Sequence, residues 1–256
     1  MVDAYYHFTA PYTYGYWVET LGSWFTIIFA MLIRELIIWV GSKIRYYKLS
    51  HFMSFVTISC FYMYLFNYAI VPLLAPWDSR ELPDLLFFKN FLFANGLYTD
   101  LNSAWFQEMA VVICYNMMYL AYWPIIEFSY TWALKVAFQC LDQCRLLPNN
   151  PYDTRSKTIL GFEAKYNGPE FYIHWKYATI MTVVYVCSLF GPMLPILFPI
   201  SLLNLVILYV SEKLMMAYSY KRPPMYDQTL NEVTINMLYT APIIYCAVAA
   251  WTFSNQ

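Results

Sequence analysis

LPILFPISLLNLVILYVSEKLMMA, residues 194–217, carries no charge until Glu212 and Lys213 near its end. About 20 mostly apolar residues are enough for a helix to cross the hydrocarbon of a bilayer, and this run supplies them. Read outward from it, the chain offers comparable runs at 17–41, 50–75, 104–128, 171–190 and 229–252. The third ends near Phe128, or continues as a longer helix broken near Pro124, where the ring removes a backbone donor. Gly191, Pro192 and Pro195 make a tight hairpin of the fourth and fifth. Between the second and third, Leu82 to Phe93 carries eight apolar residues between acidic flanks and is expected to lie as a short amphipathic helix in the membrane interface. The stretch 149–168, with Pro151, Gly161 and Gly168, reads as a polar loop. The expected fold is all-α: one polytopic transmembrane domain over 1–256, with about six transmembrane helices and one interfacial helix.

Basic residues sort by side. Of the 15 Lys and Arg, twelve fall on the face of the alternate loops around Lys43 to Lys48, 129–170 and Lys213 to Arg222, Lys176 at the start of the fourth run being counted with them. Only Arg80 and Lys89 fall on the other face, and Arg34 lies within the first run. This is the positive-inside pattern of a multi-pass membrane protein, with the basic loops on the matrix or cytosolic side and both termini opposite.

Composition agrees. The chain is 61% hydrophobic and 12% charged, about half the charge of a soluble domain. Its 26 Tyr and 9 Trp suit bilayer boundaries and helix contacts. A net charge of −1 argues against a nucleic-acid partner, which demands a basic surface. No secretory or transit pattern is read at the start, and the Tyr-rich first residues have the character of a mature terminus. The six cysteines lie mostly in apolar runs and no Asn-x-Ser/Thr sequon occurs, which favours an organelle membrane, the mitochondrial inner membrane foremost.

Four stretches, FNYAIVPLLA at 66–75, GLYTDLNSAWFQEM at 96–109, YNGPEFYIHWKYATIM at 166–181 and EKLMMAYSYKRPPMYD at 212–227, come in a telling order and spacing. Across roughly 50–235 the chain resembles protist members of the superfamily joining anoctamins, transmembrane channel-like proteins and osmosensitive calcium-permeable channels. The resemblance implies a truncated relative that holds the membrane half, where the ion or lipid path runs.

Arg34 and Glu35 stand mid-membrane in the first run, where ionisable groups are costly and are functional candidates. Neighbours point about 100° apart on a helix, so each is expected to find its own partner, in a functional site or in an ion pair that fixes helix docking. Thr179, Thr182, Tyr185 and Ser188 recur as a polar stripe, which reads as part of a path or as packing glue between helices. Late-helix acids and amides bind calcium in the resembled channels; here Asn204, Glu212, Glu232 and Asn236 are the positions available. His51 and His174 are a weak pattern for haem ligation, and Cys140 with Cys144 for a metal, since both sets lack further ligands nearby. No phosphate loop, HExxH or nucleophile–base motif is present in the sequence, so no catalytic residue, cofactor or metal is expected, while bound phospholipid is. Two functions compete: a non-catalytic accessory subunit in a large membrane complex, hetero-oligomeric with other membrane subunits and lipids, or a reduced pore-forming channel or lipid scramblase unit.

Overall fold

The computed structural model describes residues 32–44, 46–74, 103–143, 158–168, 171–221 and 227–254, and no strand occurs among them. Residues 32–44 are helical and form α1. There follow α2 (Leu49–Leu65), a π turn (Phe66–Ile70), α3 (Val71–Leu74), α4 (Ser103–Gln143), α5 (Ile159–Tyr166), α6 (Ile173–Phe190), α7 (Leu197–Tyr218), α8 (Thr229–Leu238) and α9 (Ala241–Ser254). Five stretches are long and apolar enough to cross a membrane: Leu49–Leu73, Met109–Asp142, Ile173–Phe190, Leu197–Tyr218 and Thr229–Ser254. The protein is an all-α polytopic membrane protein. Of the run expected at 17–41, the described part is helical and continues to residue 44. The interfacial helix expected at 82–93 lies outside the described residues.

Helix α6 is the centre of the bundle, with half of its span buried, against 11% for the span of α8 and α9. One side packs Ala178, Met181 and Tyr185 on Val56, Cys60 and Phe61 of α2 and Ala241 of α9. The other packs Val183, Val186, Cys187 and Phe190 on Ile113, Met117 and Leu120 of α4 and Leu197 of α7. Lipid tails are as apolar as these side chains, so close van der Waals fit, more than water exclusion, holds the spans together.

The most extensive helix contact joins α4 and α7. They run parallel, because Asn204 meets Met117 and, further along both, the Tyr218 carbonyl meets Lys135. The third span corrects the shorter expectation of 104–128: α4 has 41 residues and passes through Pro124 without ending. At 1.5 Å per residue it is about 62 Å long, roughly twice the hydrocarbon thickness. The ring removes one hydrogen bond, a loss that a helix supported by a neighbour over its length absorbs.

Two other spans are irregular. In the second, the Val71 N–H reaches back to the Phe66 carbonyl, closing the π turn just before Pro72. Proline crowds the carbonyl four residues back, and one widened turn relieves that. The last span is interrupted at Tyr239 and Thr240, between α8 and α9.

The hairpin after α6 turns at Gly191, where a Cβ would lie 2.4 Å from the Cys187 carbonyl oxygen. The polar loop expected at 149–168 is not all loop. Thr158 caps α5, its Oγ1 accepting from Gly161 N at 3.2 Å, and the apolar Ile159, Leu160 and Phe162 then fall on a single helical turn. Gly168 presses the segment before α6 onto the end of α7: a Cβ there would stand 1.6 Å from the Ser219 carbonyl oxygen. Backbone on backbone leaves no side chain to swing aside. We expect Gly168→Ala to lower stability by at least about 1–3 kcal/mol in thermal unfolding of the detergent-solubilised chain; an unchanged melting temperature would refute that contact.

Candidate functional site

Three charged side chains from three different spans, α4, α6 and α7, meet inside the bundle. Lys176, near the start of α6, donates from Nζ to Glu127 Oε2 of α4 at 2.7 Å and pairs with Glu212 Oε1 of α7 at 2.6 Å. The lysine and Glu212 side chains are 13% and 14% exposed, and Glu127 is 24% exposed. Just past the end of α7, Tyr220 OH donates to Glu127 Oε1 at 3.4 Å, a long bond. Burial first, and then the Glu127 and Glu212 carboxylates, push the Tyr220 phenol above its ordinary range, so it remains a neutral donor. In a low-dielectric interior an ammonium shared by two carboxylates is costly to break, because whatever remains is a charge without a partner.

Sequence pattern alone does not single out this cluster: Lys176 counts with the loop charges, and Glu127 stands at the edge of the third run. The available signal was a lone carboxylate three residues after Pro124 in an otherwise apolar run. A second lysine of that set, Lys135, is also helical and donates to the Tyr218 carbonyl at 3.0 Å, sealing the end of α7.

Arg34 and Glu35 do not find separate partners. Arg34 Nη2 donates to Glu35 Oε1 at 3.1 Å, the long guanidinium arm reaching around the helix that separates their Cα directions. Arg34 also lies over the Trp175 ring, 3.6 Å from its centroid, a cation–π contact to α6. Glu35 is 64% exposed, with Arg34 its only ion-pair partner among the described residues. Docking, not isolation, is thus the visible role of the arginine.

The polar stripe of α6 turns inward on its own backbone. Thr179, Thr182 and Ser188 donate to the carbonyls of Trp175, Ala178 and Val184, each four residues back. Tyr185 instead crosses to α8 and α9, donating to the Met237 carbonyl at 2.6 Å and touching the Thr240 hydroxyl. Asn204, fully buried, faces the opposite way and donates from Nδ2 to the Met117 carbonyl at 3.3 Å, within the Ile113, Met117 and Leu120 contact. Stripe and amide therefore do not share a cavity.

The calcium candidates are also dispersed. Asn204 is in the α4–α7 contact and Glu212 on Lys176, whereas Glu232 is exposed in the first turn of α8 and Asn236 is exposed further along it. Among the described residues no group of three His, Cys, Asp or Glu side chains gathers as metal ligands would. His51 is exposed on α2; His174 is buried on α6 against the rings of Tyr172 and Trp175. Cys140 is exposed on α4, and Cys144 lies outside the described residues.

One open-sided cavity of about 800 Å³ lies between α2, α6, α8 and α9. Both irregular spans line it, through Leu65 and Ile70 at the π turn and Met237 and Thr240 at the break. Comparisons of the chain with family models, with curated proteins and with solved structures return no match.

For the ion cluster, Lys176→Met strands two carboxylates and should cost about 3–5 kcal/mol in chemical or thermal unfolding. Adding Glu127→Leu and Glu212→Leu should recover most of that loss, since a packed apolar contact replaces the ion cluster at little cost. A single variant as stable as the parent would show that the three groups do not meet.

Proposed function

We propose that this chain is a non-catalytic accessory subunit of a larger membrane assembly, bound there by contacts with proteins and with phospholipid. The observation that carries this is the overhang of α4. Lys135 marks the level at which α7 ends, and α4 continues from there to Gln143, about 12 Å further. The overhang presents Val136, Phe138 and Leu141 exposed, and beside it α5, tied on by the Tyr166 hydroxyl at Asp142, presents Ile159 and Leu160. Apolar residues grouped where a helix leaves the bundle are what a protein neighbour covers. In this reading the basic ends of the spans face the matrix of a mitochondrial inner membrane, and the overhang meets its neighbours on that face. The interior supports the same role, because its hydroxyls and amide are used in helix packing, where a conduit would present them along a wet wall.

A second reading, a reduced pore or scrambling unit of the superfamily it resembles, draws on the broken last span. Interrupted helices are kept at membrane depth where they line a cavity or a path.

The native mass of the particle, extracted gently from its own membranes, separates the two. A subunit migrates in a large hetero-oligomer, and Phe138→Glu with Leu141→Glu should release it while the melting temperature of the isolated chain stays unchanged. Migration alone or as a small homo-oligomer, insensitive to those changes, would overturn the subunit reading and direct the work to ion-flux and lipid-flux assays.

A further inference from the structure

The cavity between α2, α6, α8 and α9 is walled mostly by Ile, Leu, Val and aromatic side chains, yet two hydrogen-bonding groups on it have no partner among the described residues. Asn236 of α8 is exposed and its amide bonds to no described residue. Tyr62 of α2 is 58% exposed, and its hydroxyl is likewise without a described partner. Tyr185 and Thr240, which also line the cavity, are engaged with each other and with the Met237 carbonyl.

The depth of these groups is given by their neighbours. Tyr177 of α6 donates to Asn231 at 2.5 Å and Tyr185 of α6 to the Met237 carbonyl at 2.6 Å. Asn236 therefore stands level with residues between 177 and 185, the middle of a span that runs Ile173–Phe190. Tyr62 is at nearly the same depth, because the ring of Phe61 before it lies 4.8 Å from that of Tyr185. An amide and a phenol open to hydrocarbon at mid-bilayer each forfeit a hydrogen bond, which is expensive unless a ligand supplies it.

We propose that this cavity binds a neutral, bilayer-soluble molecule with carbonyl oxygens on an apolar body, the chemistry of a quinone, with the Asn236 amide and the Tyr62 hydroxyl donating to those oxygens. A saturated acyl chain has no acceptor to offer. The ester carbonyls of a phospholipid are held at the headgroup level, about 15 Å from the bilayer centre, where these donors are not. The cavity volume falls within the range of sites that enclose a compact ligand, about 300–1,000 Å³. The π turn and the break between α8 and α9 have a place in this reading: they shape the two walls, and π turns recur at functional sites.

The test uses the full chain in nanodiscs of phosphatidylcholine, labelled with a short-tailed azido-benzoquinone and mapped by mass spectrometry. The expected labels fall on peptides spanning 58–70 and 233–244, and excess unmodified quinone removes them. Asn236→Leu and Tyr62→Phe, both at exposed positions, should each reduce displaceable labelling about fivefold, with the melting temperature unchanged. Labelling that excess quinone does not displace, or that both variants leave intact, overturns the proposal. So does displacement by a saturated hydrocarbon as effective as by quinone, which would make the cavity an acyl-chain groove. Crosslinking of the same peptides to another polypeptide in the native particle would assign the cavity to a partner helix and overturn it equally.

Discussion

One ammonium serving two carboxylates, Lys176 between Glu127 and Glu212, is the constraint on which the arrangement of the bundle depends. It ties α4, α6 and α7 at one depth and sets their register, since apolar spans alone can slide past one another at little cost. The neighbouring contacts agree with that register. Asn204 meets the Met117 carbonyl on one side of it and Lys135 meets the Tyr218 carbonyl on the other, so α4 and α7 are matched along their whole shared length. Buried ionic groups of this kind contribute specificity more than stability.

Helix α6 has two differently built sides. Toward α4 and α7 lies the ion cluster, and every hydroxyl of the α6 stripe except Tyr185 is spent on its own helix. Toward α2, α8 and α9, a π turn and a helix break flank an open cavity on which two polar side chains have no partner among the described residues. Tyr185 joins the two sides: its ring packs on Phe61 of α2, and its hydroxyl adds a further bond to the Met237 carbonyl, which also accepts from Thr240 at the end of α8. Irregular backbone at membrane depth survives only where something of this sort completes its hydrogen bonds.

Beyond the bundle, α4 and α5 build a projection with an apolar surface of a different kind. Inside the bilayer, exposed Leu, Ile and Val residues need no explanation, for lipid covers them. On a segment about 12 Å past the end of its neighbour, Phe138 and Leu141 stand exposed where, on the proposed reading, a protein neighbour covers them. That contrast, more than the composition of the surface, is what points to neighbours.

The sequence by itself determined the class of the molecule. Long apolar runs bounded by charge leave a chain no alternative to helices that satisfy their own backbone in lipid, so four spans and the Gly191 hairpin were legible almost to the residue. Through the resemblance it also offers Glu212 and Asn236, among the late-helix acids and amides, as positions of interest. Tertiary structure alone decided what those groups do. Glu212 meets Lys176, a lysine whose charge the sequence counts with the basic loops, and Asn236 lines a cavity whose other wall is contributed from α2, far away in the chain. The length of α4 was equally a tertiary matter: Pro124 is a local signal to stop, and the parallel contact with α7 overrides it. Periodicity and charge act between near neighbours and are written in order along the chain. Register, depth and pairing arise between spans, where one side chain's partner is fixed by packing that no local stretch contains.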